Sequence, residues 1–556
     1  MSSFDGEARE EERDRVLVNS AVMAAGTIVS RLSGFVRSTL LAAALGAKLH
    51  ADLFNIANTI PNMLYILLAG GVVNAVLVPQ LVRAMKEDPD RGDAYTNRII
   101  TLAALFLGIV TVLLVVAAPW LIRLFLTHDL STAEYAAQRE SIVDFARYCL
   151  PQVFFYGMYV LVGQVLNARG RFGPMMWAPI ANNVISIAVL VVYLVVFGPA
   201  EDVFGPYTAD QELLLGVGST LGIAAQFAIL VPYLRATGFR YRPRFDFLHT
   251  GLGHTFRLGV WTVLFVVVNQ VAYTVVVRLA SGGTAASTDG TGYSIYSQTF
   301  LITMVPHSVV TVSLATAILP RLAARASDGD DAGLATSLAE TLRGALSLIL
   351  PFALILPSLA LAVSRLIWGY GAAADDYPDF APSLALFGGG LLFFTVHYLV
   401  LRGFYALEQT RTVFWIQCAV AGTNIVAALV LVGLTDAAAT APALVLAYTA
   451  SYAVGAVLSY SMLSRRLGGL HTRTLGRFLG RLAVAALLAA AAAAGTAYLL
   501  HDVIGVSRLW AAVVGVGATA AVGGLVLIGT ARAMRLEELT SIVDTITRRL
   551  PLPRRG

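Results

Sequence analysis

The chain has 556 residues, of which 57% are hydrophobic and only 13% charged, with a mean hydropathy of +0.73. A soluble protein of this size carries about twice that fraction of charged residues. The composition therefore excludes an ordinary soluble protein and predicts an all-α polytopic membrane protein. The net charge of +5 is no argument for nucleic acid as a partner, because in such a chain the position of the charges matters more than their sum.

Apolar runs of about 20 residues predict about fourteen transmembrane helices. The first fifteen residues are acidic and mixed in charge, and the first apolar run is too long for the core of a signal peptide, so we expect none. The predicted spans cover approximately residues 16–46, 51–83, 97–126, 142–167, 176–198, 211–235, 254–281, 292–322, 335–369, 380–405, 411–434, 440–463, 476–500 and 507–530.

The connections between these spans alternate in charge. One set is rich in arginine, for example around Arg169 and Arg240, and the alternate set is acidic, for example around Glu134 and Asp376. Because loops on the cytoplasmic side carry an excess of Lys and Arg, this pattern predicts that both termini are cytoplasmic.

Corresponding motifs about 240 residues apart, such as those ending at Pro79 and Pro320, indicate an internal repeat. Six spans separate the copies, so the two halves would be related by a pseudo-two-fold axis along the membrane normal. We therefore predict two six-helix lobes and two extra C-terminal helices. The predicted division is a cytoplasmic tail (1–15), an N-lobe (16–236), a cytoplasmic linker (237–253), a C-lobe (254–465), the last two spans (466–535) and a cytoplasmic amphipathic tail (536–556).

The first span contains two arginines inside an apolar segment. At helical spacing Ser30, Gly34 and Arg37 share a face, and Arg31 lies on its flank. Each arginine costs about 2.5–3.5 kcal/mol at the centre of a membrane helix, so both need a partner or a wet cavity. Snorkelling to the interface is the alternative, and it suits Arg37 better than Arg31, which lies roughly 22 Å into the helix. We favour a polar cavity that receives an anion.

Other polar residues within the spans extend this candidate site. Most Asn and Gln side chains in such positions join neighbouring helices, and His307 suits packing as well as it suits proton coupling or substrate binding. The candidate substrate-binding set is Ser30, Arg31, Arg37, Asp52, Asn55, Asn58, Asn62, Asn183 and His307. The candidate hinge or gating set is Gly34, Pro61, Gly70, Gly71 and Pro306.

Enzyme motifs and metal-ligand patterns are missing from the sequence, which predicts a protein that is not an enzyme and has neither a metal site nor a cofactor. Cys149 and Cys418 make no disulfide framework. Between the predicted lobes, residues 239–249 alternate aromatic residues with arginines, which is typical of a segment at the level of lipid headgroups.

Several motifs together resemble the family of MurJ/MviN-type lipid II flippases, within the multidrug, oligosaccharidyl-lipid and polysaccharide exporter superfamily. The resemblance covers essentially the whole chain. The motifs are Ser30-Arg31-x-x-Gly34-Phe35-x-Arg37, Asp52-x-Phe54, Ile60-Pro61-Asn62-Met63-Leu64, Val78-Pro79, Leu166-Asn167, Arg171-Phe172, Ala178-Pro179 and Phe404-Tyr405.

The resemblance implies two six-helix lobes around a central cavity, with the last two helices forming a groove for a polyprenyl tail. It implies translocation of the undecaprenyl-pyrophosphate-linked peptidoglycan precursor, lipid II, from the inner to the outer leaflet of the bacterial cytoplasmic membrane by alternating access. Arg31 and Arg37 match the family's cavity arginines, and Asp52 matches an acidic position near the outer gate.

The chain departs from the family pattern at four places. Ser38, Tyr65 and Leu301 stand where family members often carry charged residues, so that Arg257, Arg278 or His307 would have to compensate. Asn269 and Gln270 stand where some members have a sodium-binding acid. Membrane potential, protons and sodium therefore stay open as driving forces.

The expected partners are lipid II and membrane lipids, with cell-wall synthases as further candidates and no nucleic acid. An exporter of drugs or of another polyprenyl-linked oligosaccharide is the alternative on the same fold. A membrane glycosyltransferase is a more distant alternative, which would use loop acids such as Asp375 and Asp376.

Overall fold

A computed structural model describes residues 29–67, 92–246 and 252–541, with the single positions 26, 81, 84 and 90; for residues 252–259 it describes the backbone alone. Apart from short turns, the elements of this part of the chain are α-helices. In chain order they are α1 (residues 29–45), α2 (Leu49–Ile66), α3 (Asp93–Val116), α4 (Ala118–Phe125), α5 (Ala136–Cys149), α6 (Gln152–Ala168), α7 (Gly173–Val196), α8 (Ala209–Ala228), α9 (Leu230–Ala236), α10 (Leu252–Ala286), α11 (Tyr293–Pro306), α12 (Val312–Ser327), α13 (Asp331–Trp368), α14 (Tyr377–Ala406), α15 (Thr410–Leu434), α16 (Thr440–Arg466), α17 (Thr472–Ile504) and α18 (Leu509–Ala533).

Within the described residues, 12 helical segments are long and apolar enough to cross a membrane. From Asp93–Val116 to Leu509–Ala533 they coincide one for one with the third to fourteenth predicted spans. The first two predicted spans fall on α1 and α2 and on residues that lie outside the described part. The prediction of an all-helical polytopic membrane protein is thus confirmed, whereas the count of fourteen and the pseudo-two-fold axis stay predictions.

Proline shapes several of these spans. Pro151 separates α5 from α6, and Pro306 ends α11 where the helix widens into a π-helical turn, His307–Thr311, before α12. Proline lacks the N–H that an α-helix needs, and π-turns inside helices are frequent at functional sites. Pro61, in contrast, lies inside an uninterrupted α2. The other two predicted hinge residues of this span, Gly70 and Gly71, lie outside the described residues.

One long stripe of exposed apolar side chains marks a surface suited to lipid. It follows α3 and α4 at helical spacing through Ile109, Val112, Val116 and Trp120. Water would disfavour such a continuous apolar face, but the acyl chains of a bilayer would not.

The chain divides into two compact units, Met1–Ala285 and Ala286–Gly556. Helix α10 falls, except for Ala286, in the first unit. The interior of the first unit is built around α2, α5 and α8, where Phe145 packs edge-on against Phe54 and Tyr207. The predicted boundaries of the lobes, the linker and the last two spans stay predictions.

The second unit packs around α14, which lies against α13 and α16. Close approach between α13 and α14 requires glycine at 388, because a Cβ there would lie 2.5 Å from the backbone oxygen of Ala353. Trp368 and Phe380 stack at 4.2 Å between ring centroids at one end of this pair.

The beginning of the C-terminal tail also packs on the second unit. Leu536 and Leu539 are buried, and Glu538 forms an ion pair with Arg343 of α13. The guanidinium of Arg343 also lies over the ring of Phe478 in α17, at 5.3 Å from its centroid. In this part of the tail the apolar face of the amphipathic pattern is thus covered by protein.

Candidate anion-binding site

Helix α1 places the predicted polar face of the first span beside open space. Arg31 and Arg37 are both half-buried. A Cβ built on Gly34, which lies between them along the helix, would meet no atom within 4 Å. Among the described residues, none therefore packs against this position, and the helix face between the two arginines is open.

One tyrosine that the sequence analysis did not select, Tyr156 of α6, lies near Arg37. The Tyr156 ring stacks on Tyr65 of α2 at 4.6 Å between centroids. Tyr65 therefore packs against the tyrosine that lies near Arg37.

Asn183 fixes the position of α1. Its side-chain amide in α7 donates hydrogen bonds to the backbone oxygen of Ser30, at 3.0 Å, and to the hydroxyl of Ser33, at 2.9 Å. Both bonds lie one turn or less from Arg31. Asn183 thus acts as a positioning residue, and it brings the predicted site residues of the first and fifth spans together.

The three asparagines of α2 have different surroundings. Asn58 accepts a hydrogen bond from Gln152 of α6 at 2.9 Å, which joins two helices as most such side chains do. The backbone oxygen of Asn55 accepts a bond from Thr59, and its side chain is half-buried. Asn62 is exposed. Asn58 thus connects α2 to α6.

Asp52 forms a buried polar contact between α2 and α10. Its side chain is fully buried in the first turn of α2, where the positive end of the helix dipole stabilises a carboxylate. The Thr284 hydroxyl near the end of α10 donates to Asp52 Oδ2 at 2.8 Å. This contact is the centre of what we call the α10 latch.

Two further bonds complete the α10 latch. The Ser281 hydroxyl accepts a bond from the backbone N–H of Thr127 at 3.2 Å. The Tyr135 hydroxyl donates to the backbone oxygen of Ala285 at 2.7 Å. The last turns of α10 are thereby tied to α2 and to the connection between α4 and α5, at the end that the charge pattern predicts to be extracytoplasmic.

A stacked pair of rings supports the same end of α2. The Tyr207 ring lies 3.6 Å from the His50 ring, centroid to centroid, and its hydroxyl donates to the His50 backbone oxygen at 2.8 Å. Burial raises the pKa of Tyr207 well above its ordinary value, so this hydroxyl keeps its proton and remains a donor. The first turn of α2, which carries Asp52, is thus held rigidly.

In the second unit His307 is enclosed by polar and aromatic groups. It is buried at the π-turn, its Nδ1 lies 3.3 Å from the Thr395 hydroxyl, and its ring is 4.5 Å from that of Phe394. Tyr398 lies edge-on to the same ring and stacks under the guanidinium of Arg402 at 4.1 Å. We call these five residues the histidine cluster.

Arg278 and Arg257 are the remaining cations that were predicted to compensate. Arg278 is an exposed residue of α10, and the side chain of Arg257 lies outside the described part of the structure. Among the residues the structure describes, no group of three or more His, Cys, Asp or Glu side chains is arranged to hold a metal ion.

Sequence reasoning missed Tyr156 and Arg402. The i, i+4, i+8 spacing of Phe394, Tyr398 and Arg402 was a signal for one helical face. No comparable local signal linked Tyr156 to Arg37, since about 120 residues of sequence separate these two helices and only packing brings them together.

The fold defines a class of protein, a multi-helix membrane transporter. The structure of "Lipid II flippase MurJ, inward closed conformation" superposes with a TM-score of 0.70 at 16% identity, over 93% of this chain and 99% of that one. An inward-facing multidrug resistance MATE transporter of the MOP superfamily gives a TM-score of 0.60 at 14% identity, over 82% of this chain and 99% of that one.

Sequence comparisons identify the family. The profile described as "Lipid II flippase MurJ" matches residues 41–514. A probable lipid II flippase MurJ of Haemophilus influenzae is 26% identical over 398 residues, which cover 69% of this chain and 75% of the relative. Its counterpart in Vibrio cholerae is 27% identical over 408 residues, or 72% and 74% of the two chains. The chain belongs to the lipid II flippase MurJ family.

Proposed function

We propose that the protein is a lipid II flippase that carries the undecaprenyl-pyrophosphate-linked peptidoglycan precursor from the inner to the outer leaflet of the bacterial cytoplasmic membrane. It acts as a translocator with both termini in the cytoplasm, and the chemistry of its substrate is unchanged. The observation that carries the proposal is the pair Arg31 and Arg37 on a membrane helix, on either side of the open helix face at Gly34.

The arginines suit a pyrophosphate. A guanidinium binds phosphate oxygens with two parallel hydrogen bonds, and these bonds gain strength where water is scarce. In the proposed cycle Arg31 and Arg37 bind the pyrophosphate, and the open helix face at Gly34 admits it. The polyprenyl tail stays in the membrane along α17 and α18, whose closely packed alanines leave a smooth surface.

Alternating access requires that the α10 latch opens when the extracytoplasmic side opens. Its Asp52–Thr284 bond is buried, so breaking it costs about 1–3 kcal/mol unless other groups replace it. The substrate drives this change only through a higher affinity for one state than for the other. We therefore propose Asp52 and Thr284 as gating residues.

For the driving force, we propose the membrane potential. Outward movement of a negatively charged headgroup from a negative interior is favourable by about 2.3 kcal/mol per charge and 100 mV. Imposing a potential, a pH gradient or a sodium gradient separately on proteoliposomes distinguishes the three driving forces. Stimulation by the pH gradient that is lost in His307→Gln would instead assign coupling to the histidine cluster.

The test of function is rescue of cells depleted of their own lipid II flippase. The native chain should restore growth, and Arg31→Ala and Arg37→Ala at matched membrane levels should fail. Arg123→Ala, an exposed arginine in α4 of the same unit, is the matched control and should rescue.

Failure of the native chain despite membrane insertion would contradict the proposal. It would favour export of a drug or of another polyprenyl-linked oligosaccharide on this fold. We propose cell-wall synthases as consumers of the product. Their co-purification with the tagged protein from membranes would identify them as partners.

A further inference from the structure

Residues 239–246, here called the basic segment, are fixed to the first unit through their backbone. The N–H of Arg242 donates to Asn97 Oδ1 at 2.7 Å, and the N–H of Arg244 donates to the Thr101 hydroxyl at 3.1 Å. Pro243, which has no N–H, lies between the two donors. Although this stretch joins two membrane helices, it has a defined course across the beginning of α3.

Side chains strengthen this attachment at three points. The Tyr241 hydroxyl lies 3.0 Å from that of Thr101. Asp246 accepts hydrogen bonds from Nε and Nη2 of Arg98 at 2.8 and 2.5 Å. At the other end Phe239 is buried under the guanidinium of Arg169 at 5.0 Å.

The arginines of the basic segment stay exposed beside this attachment. Two alternate N–H groups bind the same helix, which is the pattern of an extended chain whose side chains alternate between two faces. Arg240, Arg242 and Arg244 therefore share one face, and all three are exposed. Within the described residues no carboxylate forms an ion pair with Arg240 or Arg242.

The surroundings are those of a membrane interface. Phe245 is 68% exposed and Tyr241 is 47% exposed, and Tyr233 of the adjoining α9 is half-exposed at the same end of the first unit. Aromatic rings prefer the headgroup level of a bilayer, and the charge pattern of the loops assigns this end to the cytoplasm. The cytoplasmic leaflet carries negative surface potential.

We propose that the basic segment is a binding site for the phosphate groups of anionic lipids in the cytoplasmic leaflet. Three exposed guanidinium groups bind headgroup phosphates, while Phe245 enters the interface. Because Asn97 and Thr101 already hold the backbone, the segment loses little conformational entropy when the lipid binds. This preorganisation distinguishes the site from general attraction to a charged surface. This inference is independent of the proposed transport function.

The test compares lipid binding by the full-length protein. Native mass spectrometry measures the affinity for phosphatidylglycerol and for zwitterionic phosphatidylcholine. Each basic residue near an anionic surface contributes a factor of about five, so the triple variant R240Q/R242Q/R244Q should lose about a hundredfold in phosphatidylglycerol affinity. Its phosphatidylcholine binding should not change.

The matched control removes equal charge elsewhere. R473Q/R477Q/R481Q neutralises three exposed arginines at the beginning of α17 and should keep phosphatidylglycerol affinity within about threefold of the native value. An equal loss in both triple variants would overturn the proposal, because it would show attraction without a site. Displacement of phosphatidylglycerol by inorganic phosphate at equal concentration would also overturn the assignment to a lipid.

A second variant tests the attachment without changing any charge. N97A/T101V removes the two acceptors that hold the segment and should lower the preference for phosphatidylglycerol over phosphatidylcholine about tenfold. An unchanged preference would overturn the claim that the fixed backbone builds the site. Unfolding temperature and gel filtration confirm that each variant is folded before its affinity is interpreted.

Discussion

The basic side chains selected in the two units have different surroundings. In the first unit Arg31 and Arg37 lie on either side of Gly34, against which none of the described residues packs, and both are half-buried. In the second unit His307 is buried and enclosed by Thr395 and aromatic rings. An arginine on an open helix face suits ligand binding, whereas a buried histidine enclosed by side chains suits packing. The contrast agrees with the proposal that anion binding belongs to the first unit.

The largest expected effect follows from filling the open helix face at Gly34. Gly34→Leu places a side chain where no atom lies within 4 Å, so it should fold normally and exclude the phosphate from the arginines. Losing two charged hydrogen bonds at about 1.5–3 kcal/mol each lowers translocation by about a hundredfold or more.

Its control is Gly108→Leu, because a Cβ at Gly108 in α3 also meets no atom within 4 Å. That variant should translocate normally. Normal translocation by Gly34→Leu would contradict anion binding in the first unit, since the space beside the arginines would then have no role in binding.

The next effect concerns the α10 latch. Thr284→Val removes the donor to the buried Asp52 and should favour the state open to the outside by about tenfold. In a background without the native cysteines, Ala285→Cys reports this as faster labelling by a membrane-impermeant thiol reagent. Thr316→Val, which removes an exposed hydroxyl bonded only within α12, should leave labelling unchanged.

A smaller effect is expected in the histidine cluster. His307→Gln keeps hydrogen-bonding capacity but alters ring packing, so the unfolding temperature should fall while translocation per folded molecule changes less than about threefold. His397→Gln, at a second buried histidine bonded to Ser459, should behave alike. A loss from His307→Gln as large as that from Arg37→Ala would contradict the assignment of anion binding to the first unit.

The smallest effect is a pH dependence at Asp246. Its hydrogen bonds from Arg98 lower the pKa of this carboxyl below its ordinary value. A lowered pKa contributes stability that is present above the pKa of the unfolded chain and is lost as the pH falls through the folded value. The protection factor of the Arg242 amide, which corrects its exchange rate for the intrinsic pH dependence, should therefore be insensitive to this group at neutral pH and fall only in acid.

Asp246→Asn should abolish that acid dependence. It should change translocation less than about twofold, because exposed ion pairs contribute little. The exposed pair of Arg466 with Asp331 in the second unit provides the comparison, and Asp331→Asn should leave exchange at Arg242 unaltered. A large fall in translocation from Asp246→Asn would contradict a purely local role.

The fold could be predicted from the sequence because each membrane helix requires an apolar run of about 20 residues. Apolar runs located the third to fourteenth spans, and the polar face of α1 came from helical spacing alone. Long-range pairs were not accessible in this way. Tyr156 meets Arg37, and Thr284 meets Asp52 across 232 positions, only because helices pack together. Asn183 was predicted to bind substrate, which stays a prediction, and its bonds to Ser30 and Ser33 are contacts that spacing did not indicate.

The most direct test of the central claim is translocation of a fluorescent polyprenyl-pyrophosphate-linked substrate by the purified protein in liposomes. Arg31→Gln and Arg37→Gln should each lower the rate by about tenfold to a hundredfold, because each loses charged hydrogen bonds to phosphate. Arg123→Gln, the matched arginine of the same unit, should translocate at the native rate. Native rates in both Arg31→Gln and Arg37→Gln would contradict an anion site on the first membrane helix.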